Sequence, residues 1–420
     1  MQTQLSIENV PQKRTSLGAS FRRFYTAVAL TGAGDGMTTA ALPWLAAALS
    51  GNALLVSMVS AASRLPWLLF SLPFGVMIDR FPRHVLMAVS SFVRAVMMGL
   101  ITLSVYFGFA NLPLLIVLTF LFGTAKVMYD STAQTMVPML VEQKELERAN
   151  GLVSSVQLVT SDILGGALAG LLLTVGMPYP FLIDTLTSAA SIPMLAGLKR
   201  EETAVVRAHR LSFRHDLMQG VRFVWHDPLL RPLALFQIGM TGAFSVITAM
   251  QVFFIKEILH LNSFGFGVLI SVATLGSIAG GQFVSRVKEK LGTRKSILLA
   301  IGVMAVGYGL CGVSSHWAVV GALYTIGAFF IVVWNVINVS FRQRIVPEEL
   351  LGRVNGVFRF LSWGVASIGA VLGGVLITGG EPLIGREWAL RSPYLLLFVV
   401  YAILWLIAVR LFDEDKLKRA

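Results

Sequence analysis

The residues of this 420-residue chain best placed to do chemistry are charged ones standing where charge is least expected. Asp35, Arg64, Arg94, Lys126 and Asp162 fall inside runs that are otherwise almost wholly apolar. An ionisable group within a membrane-spanning helix costs about 2.5–3.5 kcal/mol on insertion scales, so its retention points to function. The chemistry open to these groups is proton transfer and ion pairing. A carboxyl whose surroundings alternate between dry and wet takes up a proton when dry and releases it when wet. At 1.5 Å per residue, Asp35 lies about 16 Å into the first apolar run and Arg64 about 14 Å into the second from the opposite side. That is a common level in a hydrocarbon core about 30 Å thick, so the two can pair. A static pair that only fixes helix packing accounts for the same level match. Asp162, about 16 Å deep in the fifth run, has no partner in its own helix and reads as a proton or cation-substrate site. Arg94 lies about 14 Å deep in the third run and Lys126 lower in the fourth, whereas Asp184, only about 6 Å from the far surface, reads as a helix-end residue facing water. The second half of the chain has no such charges apart from Arg359 near a helix end. It offers Gln237, Gln251, Trp334, Asn335 and Asn338 as candidates for lining a substrate cavity.

The elements that must position these residues are legible as apolar runs. The chain is 55% hydrophobic and 13% charged, against about 25% charged in soluble proteins. A crossing helix needs about 20 predominantly apolar residues, and there are twelve such runs, at 24–48, 55–78, 85–108, 112–130, 151–175, 179–198, 231–256, 264–285, 296–313, 317–339, 355–378 and 392–411. Gly and Pro break the helix in "FGFANLP" between the third and fourth and in "VGMPYP" between the fifth and sixth. The fold class expected is therefore an all-α integral membrane protein with twelve transmembrane helices in two six-helix repeats. A tail at 1–20, a six-helix bundle at 21–198, a polar linker at 199–230, a second bundle at 231–411 and a tail at 412–420 complete the division.

Orientation follows from Lys and Arg, which cytoplasmic loops retain. With the N-terminus inside, Lys13, Arg14, Arg22, Arg23, Arg80, Arg83, the clusters from Lys199 to Arg231 and from Arg286 to Lys295, Arg342, Arg344, Arg353 and the tail "DKLKRA" share one side, leaving Lys256, Arg386 and Arg391 on the other. Both termini are then cytoplasmic, and the net charge of +12 is an orientation signal rather than a nucleic-acid footprint. The first 20 residues lack the apolar region and cleavage site of a signal peptide. A single cysteine, Cys311, leaves no intrachain disulfide. "GAGDG" (Gly32 to Gly36) is no phosphate loop, for it lacks the following Lys-Ser/Thr and lies within a span. Walker A, haem and zinc spacings are absent, and no His-rich or Ser/His/Asp set shares a depth, so the expectation is a non-enzyme without metal or cofactor.

The polar connection from Lys199 to Pro228 divides the runs six and six, and the first half recurs in the second. "GVMIDR" (Gly75 to Arg80) matches "GQFVSR" (Gly281 to Arg286), "ERANGL" matches "GRVNGV", and "GGALAGLL" matches "GAVLGGVL", at offsets of 206, 205 and 204 read from the residue numbers. Six being even, both halves enter from one side. That is the parallel repeat of major-facilitator transporters.

The loop "GVMIDRFPRH" resembles the superfamily's Gly-x-Leu-x-Asp-Arg-x-Gly-Arg-Arg/Lys motif between the second and third helices, with Met77, Pro82 and His84 as departures. "GDGMTTAALPWL", "SRLPWLLFSLPFGVMIDR", "VPMLVEQKELERANGL", "PFLIDTLTSAAS" and "DLMQGVRFVWHDPLLRPL" are similar to the macrolide-efflux-like branch of drug and metabolite exporters, which also holds siderophore exporters. The resemblance implies a cytoplasmic gate in the Asp79–Arg80–Arg83 loop. Asp79 would accept from the free amides at the start of the eleventh helix near Gly356, and Arg83 would bridge to Asp130. It also implies a Gly-rich fifth helix that bends between the halves, here with Gly166 where a proline is usual; close packing is the plainer role of Gly165, Gly166, Gly170, Gly369, Gly373 and Gly374. The function implied is export of a small, partly apolar molecule by alternating access against inward proton flow, with siderophore or metabolite export and a transport-inactive receptor or scaffold as rivals. The expected partners are that substrate, protons and the bilayer, and the chain is expected to be monomeric.

Overall fold

Each helix end is settled by the residue that can satisfy or dispense with its free backbone groups. Asn52 opens α2 (Ala53–Arg80) by accepting from the Leu54 and Leu55 amides at 2.9 and 3.2 Å. Asn111 does so for α4 (Leu112–Leu140) through Leu114 at 3.0 Å, and Asp227 for the helix beginning at Leu230. The computed structural model describes residues 17–198 and 213–411. The expected tails, apart from 17–20, and the linker residues 199–212 lie outside them. The described residues hold no strand.

In the first half, α1 (Ala19–Leu49), α2, α3 (Arg83–Tyr106), α4, α5 and α6 (Tyr179–Ala196) follow in order. The fifth is not uniform. It runs as Leu146–Gln157, widens into a π-helical turn over Leu158–Leu164, and resumes as Gly165–Val175. A short amphipathic helix, α7 (Phe213–His226), leads into α8 (Leu230–Phe253, with a π turn over Phe254–Ile258). The stretch Ser263–Val313 is two helices, α9 (263–291) and α10 (293–313), reversed at Gly292 with φ 75°. After α11 (Trp317–Ile345), the stretch Glu348–Leu411 is likewise α12 (348–384) and α13 (386–411), reversed at Gly385 with φ 78°. Both reversals use the left-handed region that glycine enters without Cβ strain.

The apolar runs that end at 285 and 378 stop short of the helix ends. The helices continue past the apolar stretch and one glycine makes each turn. Apolar periodicity marks where hydrocarbon begins, not where a helix ends. Eight helical stretches among the described residues are long and apolar enough for membrane spans. On α3, Val89, Phe92, Val96, Leu100 and Leu103 face outward while Ser90, Ser91 and Arg94 are buried, the inversion of a soluble helix that a lipid solvent permits. The halves meet along two seams, α2 against α12 and α5 against α9.

Candidate transport site

The "GAGDG" stretch turns out to be what brings the charges together. A Cβ on Gly34 would lie 2.9 Å from the Asp184 Cα, and one on Gly32 would press on Thr160 and Ser161. These glycines let α1 lie directly on α5 and α6, which delivers Asp35 into the first half. There Asp35 accepts from Arg94 Nη2 at 2.5 Å and from Lys126 Nζ at 2.7 Å. Arg94 also stands 3.8 Å from Asp184, and Lys126 stands 3.1 Å from Asp130. Asp184 accepts from Thr38 at 2.6 Å and Ser188 at 3.1 Å. Four helices thus contribute to one network in which three carboxylates face two cations.

The network is graded from dry to wet. The Arg94 and Asp184 side chains are fully buried, Asp35 is 11% exposed and Lys126 30%. Arg94 is packed over the rings of Phe122 and Tyr129, with centroids at 5.3 and 5.2 Å, which compensates a buried guanidinium electrostatically. Its Nε and Nη1 have no hydrogen-bond partner. The dry end holds charge in place and the wet end is open to solvent.

Several sequence expectations change. Asp35 pairs with Arg94 and Lys126, not Arg64, whose Nη1 donates instead to Thr248 of α8 at 3.3 Å. Level alone does not decide partners; helix rotation does. Asp184 is buried rather than facing water. Asp130 is held by Lys126 one turn away, and Arg83 contacts the Met139 sulfur, so the Arg83–Asp130 bridge is not formed. Because α12 begins at Glu348, Gly356 is an exposed interior residue of that helix and its amide is no free anion site. Arg80 is exposed at the end of α2, and the Asp79 side chain lies outside the described residues. Trp334 and Asn338 are buried inside the second half, where Asn338 donates to Gln237 at 3.3 Å; Gln251 is half-buried. Asn335 and Asp162 are exposed in mid-helix. Asp162 sits within the π turn of α5, whose carbonyls at Asp162 and Ile163 accept from Thr274 and Ser271 of α9 at 3.2 and 3.0 Å.

The halves touch unequally at their two ends. At the end where α1 finishes, Arg386 is bidentate to Glu257 at 3.0 Å, reaches Glu381 at 3.0 Å, and crosses to the Gly51 carbonyl at 3.2 Å. The Leu54 amide donates to Thr378 at 3.2 Å, and a Cβ on Gly170 would lie 2.7 Å from the Ser263 carbonyl oxygen. At the end where α1 begins, the hydrogen bond described between the α2/α4 side and α12 is Arg359 to Gln134, 3.3 Å long and exposed. The opening half of α5 is largely exposed there, including its polar residues.

Residues 17–420 match the family model described as transmembrane secretion effector. The multidrug efflux pump Tap of Mycolicibacterium fortuitum is 26% identical over 88% of this chain and 91% of its own, and macrolide efflux protein A of Streptococcus pyogenes is 24% identical over 83% and 86%. A bacterial homologue of the iron transporter ferroportin superposes with TM-score 0.72 in its inward-facing state, at 14% identity over 93% of this chain and all of that one. Its outward-facing state gives 0.59. The match over residues 17–420, with efflux-pump relatives covered over most of their length and this helical fold, places the chain in the transmembrane secretion effector family of major-facilitator transporters.

Proposed function

We propose that the chain is a twelve-span exporter of small, partly apolar molecules that works as a monomer by alternating access, driven by inward proton flow. The observation that carries the coupling is the imbalance of the Asp35 network. Three carboxylates share two cations, so one proton can be held without stranding a charge. In this reading a cleft between the halves opens at the wet end of the network, where that proton can be exchanged. Asp162, exposed at the α5 turn, is the second carboxylate in reach of the cleft.

The conformation supports a cycle of this kind. Contacts across the halves gather at the end remote from the N-terminus, and the shape is nearer an inward-facing transporter than an outward-facing one. With the N-terminus cytoplasmic, as the lysine and arginine distribution requires, the cleft opens inward. The Asp79–Arg80–Arg83 loop then lies on the open side, where a gate would have to form in the opposite state. Relatives that are multidrug efflux pumps support export of drug-like molecules. The test is ethidium uptake by inverted vesicles bearing the protein. Uptake that rises with an imposed pH gradient and collapses with a protonophore is expected; gradient-independent uptake would remove the antiport.

A further inference from the structure

Three of the arginines packed into this protein are matched by an acid. Arg94 has Asp35 and Asp184, Arg386 has Glu257 and Glu381, and Arg391 has Glu387. Arg64 is not. A guanidinium carries five N–H donors, and the partner described for Arg64 is one neutral hydroxyl, Thr248 Oγ1 on the opposite half. No carboxylate of the described residues lies within 4.0 Å. Its other nitrogens are not sealed unsatisfied in protein, as two of Arg94's are, and the side chain is half-buried.

A second guanidinium follows the same rule on the same seam. Arg359 of α12 reaches across to Gln134 of α4, again a neutral group. Between the two arginines lies an aromatic step. Trp67, three residues beyond Arg64, is stacked on Trp363, four residues beyond Arg359, with ring centroids 5.1 Å apart and planes at 14°. Residues three and four apart share a helix face, so both arginines flank the indole pair, one from each half. Trp67 is buried and Trp363 is 38% exposed.

An uncompensated cation at mid-membrane depth, as Arg64 is, is costly unless something anionic meets it. Arg binds carboxylates bidentately through its planar fork and stacks on flat π systems. Resting on the export reading above, we propose that Arg64, with Trp67, Trp363 and Arg359, forms the recognition site for the anionic end of a planar aromatic substrate, such as an aryl carboxylate. The arrangement gives the molecule two contacts that respond to the state of the transporter. When the halves move, the indole stack and the Arg64–Thr248 bond change together, so an anion held at Arg64 has a different affinity in the two states, as transport requires.

The test uses two xanthene dyes of like skeleton and opposite charge, carboxyfluorescein and rhodamine 6G, read by fluorescence anisotropy against the purified protein in nanodiscs, with protein-free discs as blank. Saturable binding of carboxyfluorescein is expected, weakened tenfold or more by Arg64→Gln, largely kept by Arg64→Lys, and abolished by Arg64→Glu. Rhodamine 6G should bind better to Arg64→Glu than to the parent. Wild-type carboxyfluorescein affinity in a normally melting Arg64→Gln protein would overturn the proposal, as would failure of the parent to bind the dye. If Arg64→Gln does not fold, Arg359→Gln carries the decision: a weakening of at least threefold is expected, and none sinks the site. Gradient-driven ethidium export without carboxyfluorescein binding would leave the export reading standing and remove the anion site alone.

Discussion

Gly170→Ala should unlatch the closed end of the molecule. The Cβ it adds would lie 2.7 Å from the Ser263 carbonyl oxygen and 3.0 Å from the Gly267 Cα, whereas non-bonded carbon atoms rest about 3.5–4.0 Å apart. Both obstacles are backbone, so no rotamer change relieves them and α5 and α9 must separate by several tenths of an ångström. Overpacking of this kind costs about 1–3 kcal/mol. Alanine favours the helix over glycine by about 1 kcal/mol, but α5 is helical in either state of the transporter, so that gain cancels between them. The net shift is about 5- to 150-fold in population toward the state with this seam parted. Spin labels at Leu49 and Leu383, 39% and 83% exposed on opposite halves at the closed end, report it as a longer distance distribution. Cys311 is fully buried and stays unlabelled. Gly99→Ala serves as control, because its Cβ would meet the Thr185 methyl at an ordinary 3.6 Å within one half. A monodisperse Gly170→Ala protein with the parental distribution would refute the steric reasoning.

Three further outcomes are expected. Asp35→Asn removes the principal partner of fully buried Arg94 and should destabilise the protein by about 3–5 kcal/mol, seen as a lower unfolding temperature; adding Arg94→Gln should recover part of the loss, and no recovery would show that the pair is not the cause. Asp162→Asn, free of that strain, should fold, retain substrate exchange across proteoliposomes and lose gradient-driven accumulation; accumulation with the parental pH dependence would exclude Asp162 from coupling. Arg386→Gln deletes a half-exposed charged hydrogen bond to Gly51, worth about 1 kcal/mol after solvent screening, and should lengthen the Leu49–Leu383 distance in about the same direction as Gly170→Ala but more weakly.

The parts of this architecture written as single-residue chemistry were readable in the chain. Apolar runs gave the helices, and the recurrence of "GVMIDR", "ERANGL" and "GGALAGLL" gave the two halves and their common direction. The buried charges were also visible as candidates. Their pairing was not, because depth along a helix fixes one coordinate and the rotation about its axis fixes the other. Asp35 and Arg64 share a level but face different neighbours, and Arg94 and Lys126 come round to Asp35 instead. The signal that could have told them apart is the glycine at every second position around Asp35, which marks the sides on which α1 is touched by α5 and α6. Asp184 was misplaced for a related reason: Thr38 and Ser188 supply the hydrogen bonds that keep it in the interior, and neither is distinctive in sequence.

The π turn in α5 acts on direction as well as contact. A turn of that kind holds one residue more than an α-helical turn, and one residue is worth about 100° of helix rotation. Its Asp162 and Ile163 carbonyls are answered by hydroxyls on α9, from the other half of the protein. The extra residue is thus kept in register by a neighbour that leaves whenever the seam opens. Were the turn to tighten on losing those donors, the opening half of α5 would screw about its axis and carry Asp162 from one wall of the cleft toward another. Separation of two rigid bundles would then become, in this one helix, a change in what a carboxylate can see.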